Sequence, residues 1–180
     1  MERIRRSLAP DRDRARTWVE TRETMSTRKI GSMDHPSDSA DQRLAERHVL
    51  TALETLWGAS FVPGTRLTID AGVAPDGLDL DRKLVVEVFA RVGRLKPAQA
   101  HKVKGDLLKL AYLRKLLGPD WRVVFCFVDR EAAAFLLGKS WAARAAQAFG
   151  VEVIIQDLPQ DVRAMVVAAQ ARQRMTNAPG

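Results

Sequence analysis

Apolar runs of strand length, alternating with segments of helix length, constrain this chain more than any other feature. Residues 121–128 (WRVVFCFV) carry apolar side chains on both strand faces, and residues 151–156 (VEVIIQ) repeat the theme after an alanine-rich stretch at 131–149. A strand without a polar face must be covered on both sides, which implies parallel strands joined by crossover helices. The alanine-rich stretch, ending at Gly150, reads as one such helix. A second covers residues 97–117, where Pro97 suits the first turn and Gly118-Pro119 closes the last. In residues 41–57 Leu44, Val49, Leu53 and Leu56 recur at helical spacing, with Asp41 as N-cap and Gly58 as stop. Pro159 opens a final helix. Between the first two helices, extended segments at 66–70, 73–80 and 84–90 form an antiparallel meander, the last two joined by a polar turn at Asp81, Arg82 and Lys83. The predicted fold is therefore α/β, a mixed central sheet flanked by helices.

One domain is expected from 180 residues, of which 46% are hydrophobic and 28% charged. Residues 1–40 are rich in Arg, Asp, Ser and Thr, end in breakers, and read as a flexible basic arm; residues 41–176 form the domain. No apolar run reaches the roughly 20 residues that span a bilayer, and the N-terminus lacks the apolar centre of a secretory signal. The single cysteine, Cys126, lies among Val124, Phe125, Phe127 and Val128 and reads as a buried thiol, which suits a reducing cytoplasm. The three histidines are scattered, so no zinc-ligand spacing exists. Trp57, Trp121 and Trp141 have apolar neighbours and are expected in the core. A net charge of +7 favours polyanionic partners.

The chemistry concentrates in residues 75–90, PDGLDLDRKLVVEVFA. Glu87 interrupts an apolar strand, and an ionised carboxylate there is costly unless something positive meets it. Strand alternation places Val85, Glu87 and Phe89 on one face. A two-residue hairpin sets Asp76 opposite Glu87; a three-residue loop brings Asp79 to that face instead. Two carboxylates so placed repel unless a cation lies between them, and hard oxygen donors suit Mg²⁺, with Mn²⁺ as a substitute. In the following helix Gln99, Lys102, Asp106 and Lys109 share one narrow arc, while Val103, Leu107 and Leu110 flank it and Leu108, Tyr112 and Leu116 cover the far side. A helix so apolar elsewhere is expected to be buried, with its polar stripe facing a cleft or a partner. The stripe also reads as an ion-pair ladder worth a few tenths of a kcal/mol.

The order of elements, the Pro75-Asp76 pair and the Glu87 strand together resemble the PD-(D/E)xK, or restriction-endonuclease-like, nuclease superfamily, over roughly residues 41–128. The resemblance implies an α-β-β-β-α-β core with an additional α-β-α, and Mg²⁺-dependent hydrolysis of phosphodiester bonds in nucleic acid, above all DNA. Carried over, Asp76 or Asp79 and the strand acid Glu87 hold metal, and Glu46, or else Glu54, is the supporting helix glutamate. Phe89 stands where the family has its lysine, so Lys102 or Lys104 of the next helix takes that part. Arg91, Arg94, Lys96, Gln99, Lys104 and Lys109 are then the nucleic-acid contacts. Two other readings stand beside this one. The first is a catalytically degenerate nucleic-acid-binding or assembly module on the same fold. The second is a protein without a nucleic-acid role whose helix stripe is a homodimer contact.

Overall fold

Two strands with apolar residues on both faces take the centre of the sheet, because only there are both faces covered. A computed structural model describes residues 36–64, 67 and 71–176. Its elements are α1 (Pro36–Trp57), β1 (Gly77–Asp79), β2 (Leu84–Phe89), α2 (Pro97–Leu117), β3 (Arg122–Phe127), α3 (Arg130–Leu137), α4 (Trp141–Ala148), β4 (Val151–Ile155) and α5 (Gln160–Thr176). The strands form one sheet in the order β1-β2-β3-β4, with β1 antiparallel to β2 and the remaining pairs parallel. The described residues are thus an α/β unit in which five helices flank a four-stranded mixed sheet.

Alternation along the strands sorts the core into two layers. Val85, Phe89, Val123, Phe125 and Phe127 point toward α2, α3 and α4, meeting Val103, Leu107 and Leu110. Leu84, Val86, Val88, Val124 and Cys126 point the other way, toward Ala45, Val49 and Leu53 of α1 and Val162 and Val166 of α5. Phe125 and Phe127 are fully buried with ring centroids 4.8 Å apart. Each such side chain contributes up to roughly 3 kcal/mol by leaving water. Cys126 is a free, buried thiol, and burial pushes its pKa up to about 12.

Several elements differ from the sequence reading. The helix expected over 131–149 is two helices. Gly138 is extended, Ser140 accepts the Ala143 N–H at 3.1 Å, and its hydroxyl donates to the Phe135 carbonyl at 2.9 Å, so a new N-terminus begins where alanine bias suggested continuity. Helix α1 starts at Pro36, inside the stretch expected as an arm; residues 1–35 lie outside the described residues. The 66–70 strand falls almost wholly outside them too, and the 73–80 strand shortens to Gly77–Asp79. Val62 supplies the outer pairing instead, in a two-bond bridge with Leu78 at 2.8 and 3.0 Å. The far side of α2 is not buried: Leu108 is 70% exposed, and Tyr112 and Leu116 are exposed as well. Trp141 is 66% exposed, whereas Trp57 and Trp121 pack partly buried against the two core layers. Among the described residues no helix is long and apolar enough to cross a membrane.

Candidate functional site

The hairpin register decides which aspartate meets Glu87. Gly77 pairs with Val86, Leu78 with Val85 and Asp79 with Leu84, so the next position along places Asp76 across from Glu87. The loop comprises four residues, 80–83, closed by Lys83 in the left-handed region at φ 53°, and it preserves the pairing a two-residue turn gives. Asp76 is fixed by its own neighbours. Its Oδ2 accepts the Val88 N–H at 2.8 Å. Before it, Pro75 lies so close to Gly64 that a Cβ there would stand 2.2 Å from the Pro75 carbonyl oxygen; after it, a Cβ on Gly77 would stand 2.8 Å from Leu50 Cδ2. Only glycine permits the approach at Gly64, where the neighbour is backbone, whereas at Gly77 the Leu50 side chain would have to give way; together they seat the Pro-Asp-Gly turn against α1 and the chain at 61–64.

Helix α2 brings the cations. Its N-terminus is fixed by Pro97 and by the Lys96 N–H, which donates to Gln99 Oε1 at 2.8 Å. Its C-terminus carries Arg114, which donates to the carbonyls of Pro119 and Trp121. With Val103, Leu107 and Leu110 packed on the sheet, Lys109 reaches Glu87: Nζ lies 2.5 Å from Oε1, and 3.4 Å from the Ala74 carbonyl oxygen. Lys102 turns instead to Asp106, one helical turn along, at 2.8 Å. The second oxygen of Glu87, Oε2, is buried without a hydrogen-bond partner.

The electrostatics follow from that geometry. Burial, then the charge of Asp76, pushes the Glu87 pKa up to about 7, against the pull of Lys109. Burial also raises Asp76, although the Val88 N–H, Lys109 and Lys102 favour its charged form. Glu46 on α1 is raised by burial and by Asp76, with Gln42, hydrogen-bonded at 2.9 Å, opposing. Burial disfavours the Lys102 ammonium, yet Asp106, Glu87 and Asp76 together hold its pKa above the usual lysine value. Glu46, Asp76, Glu87, Asp106, Lys102 and Lys109 thus form one electrostatic cluster.

The other residues named from the sequence lie apart from it. Asp79 is on the opposite sheet face, where its oxygens accept the N–H groups of Ser60 and Arg82, each at 2.9 Å. Burial alone would raise its pKa, but those bonds and the Arg82 charge hold it below the ordinary aspartate range. Glu54 accepts the Phe61 N–H at 2.8 Å and caps the chain after α1. Lys104 lies over the rings of Phe135 and Trp141, with its ammonium 6.0 and 5.6 Å from their centroids. Phe89 fills the expected lysine position with a ring 5.5 Å from Phe127. Arg94 and Lys96 are exposed on the loop between β2 and α2, and Arg91 is half-buried there. That loop is fastened from outside: Gln170 of α5 accepts the Val92 N–H at 2.9 Å and donates to its carbonyl at 3.0 Å. The part of Lys109 as the partner of Glu87 was not singled out from the sequence; its place on the stripe with Lys102 was the available signal.

Comparison with family models, with curated proteins and with solved structures finds no match for this chain. Among the described residues no three acidic, histidine or cysteine side chains cluster as a metal cage. The donor set nevertheless fits a hard divalent cation. Mg²⁺ retains several waters and needs only one or two carboxylates, and Glu87 Oε2 is a buried carboxylate oxygen lacking a partner beside Asp76. Four carboxylates against Lys102, Lys109 and the Arg43 charge felt by Glu46 also leave the cluster short of positive charge when all are ionised.

Proposed function

We propose that this protein is a divalent-metal-dependent nuclease of the PD-(D/E)xK kind, hydrolysing phosphodiester bonds in nucleic acid, DNA before RNA, in the cytoplasm. The observation that carries the reading is Glu87 Oε2, an unpartnered buried acceptor in a cluster whose carboxylates outnumber its cations. Asp76 and Glu87 would hold Mg²⁺ or Mn²⁺, with Glu46 in support. Such a cation supplies positive charge for the phosphoryl oxygens and makes a nearby water more acidic. Lys109 pairs with Glu87 through Oε1, where it favours the charged form against burial, and leaves Oε2 to the site. Lys102, half exposed, stands where it can meet a phosphate entering from solvent. Arg94 and Lys96, exposed on the fastened loop, suit the flanking phosphates. Lysine chemistry is delivered from α2 because Phe89 occupies its place on the strand.

The test is cleavage of plasmid DNA and of RNA with Mg²⁺ or Mn²⁺. Wild-type protein should nick; Asp76→Asn and Glu87→Gln should abolish nicking, and Lys109→Met should slow it by about 100-fold or more. Folded wild-type protein that leaves every nucleic acid intact, while a control nuclease cuts, would overturn the reading. Phe89 favours a second possibility, a non-cleaving nucleic-acid-binding module. Its mark would be salt-dependent DNA binding that survives Glu87→Ala with no cleavage by either protein.

A further inference from the structure

Resting on the metal-site reading above, we propose that Asp106 is a positioning residue: it anchors the Lys102 ammonium at the rim and so keeps that ammonium from occupying the place of the divalent cation. Lys102 has a flexible four-carbon stem, its side chain is 50% exposed, and Asp106 holds its ammonium at 2.8 Å. Yet it lies within the fields of Asp76 and Glu87, and Glu46 in turn feels Lys102. The attraction inward is strong. A fully buried carboxylate oxygen without a partner draws a cation more strongly than a partly exposed carboxylate at the rim does, because the interior screens less. Lys109 already occupies Glu87 Oε1. A second ammonium brought to Oε2 or to Asp76 would fill the site with protein charge and leave nothing for a metal to bind.

Asp106 opposes this collapse from a rigid position. It sits one turn beyond Lys102 on a helix whose neighbouring Val103 and Leu107 are packed in the core. Its side chain is only 15% exposed, so the pair is partly shielded from water. The same anchorage leaves the ammonium at the solvent side, where an incoming phosphate oxygen can replace Asp106 as its partner. Asp106 does this without touching metal or substrate. The sequence reading of the stripe as an ion-pair ladder accounts for the contact but not for its place beside the buried carboxylates.

A double-mutant cycle on Mn²⁺ affinity separates this role from the plain charge of Asp106. Mn²⁺ is titrated at constant ionic strength, free ion being read by its paramagnetic resonance, into full-length wild type, Asp106→Asn, Asp106→Glu, Lys102→Met and the Lys102→Met/Asp106→Asn double variant. We expect Asp106→Asn to raise the Mn²⁺ Kd about tenfold, Asp106→Glu to restore it to within about threefold, and Asp106→Asn to change it by less than about twofold once Lys102 is methionine. An equal loss in both backgrounds would overturn the proposal, since Asp106 would then act through its own charge, while the metal site itself would stand. No Mn²⁺ binding by folded wild type would overturn the site and the proposal together. Asp106→Ser replaces the Asn variant in the cycle if that protein does not fold.

Discussion

Glu87→Gln should flatten the pH dependence of this protein's stability. Glu87 carries its proton up to about pH 7 in the folded protein against an ordinary value of 4.5. Between those values the native state holds a proton the unfolded chain has released, so stability falls as pH rises through that window. The contribution is fully present below pH 4.5 and is lost as pH rises through about 7. The displacement corresponds to roughly 3 kcal/mol in all, most of it between pH 5 and pH 8, and a side chain only 5% exposed loses little of that to solvent screening. Asp76 and Glu46, also raised, add slope of the same sign. Asp79, Asp129 and Glu152 are depressed, so their opposing contributions are lost only as pH falls below the ordinary carboxylate range. Urea unfolding followed by circular dichroism at pH 5, 6, 7 and 8, with chelator and constant ionic strength, measures the slope. Wild type should lose stability steadily over that range, and the variant should lose less by most of that roughly 3 kcal/mol. Parallel curves for the two proteins, or a wild type that gains stability with pH, would refute the reasoning.

Lys109→Met leaves Glu87 without its cation and should cost about 3 kcal/mol at pH 8, the low end for a broken buried pair because Lys109 is 20% exposed. At pH 5, where Glu87 is protonated, urea unfolding should show a smaller loss. Gly105→Ala should stabilise by about 1 kcal/mol, since a Cβ there meets nothing and the position is inside α2; a thermal melt raised by a few degrees checks it.

The features legible in the sequence were those set by local periodicity. Residues 122–127 are apolar on both faces, and β3 forms there between two parallel neighbours. The ends of α2 fall at Pro97 and Leu117, where proline at the start and Gly118 after the end mark them. The Asp76–Glu87 pairing followed from strand parity once the turn was known. Other features depend on how elements sit against one another. Lys102 and Lys109 share an azimuth on α2 but stand about 10 Å apart along its axis, and only the docking of helix on sheet selects Lys109 for Glu87. The same docking turns Leu108, Tyr112 and Leu116 outward, which an angle around the helix does not disclose. Ser140 was masked by eight alanines spread over residues 131–149 that favour helix on both sides of it.

The amide of Gln170 does for Val92 what an adjacent strand would, bonding both its N–H and its carbonyl across 78 residues of chain. The placement of α2 is thereby tied to the last helix. Whatever loosens the C-terminal end of α5 also frees the segment from which α2 departs, while the buried face of α2 holds the helix itself on the sheet. A residue far along the chain, with no part in the acid cluster, thus fastens the loop that leads into the helix carrying Lys109.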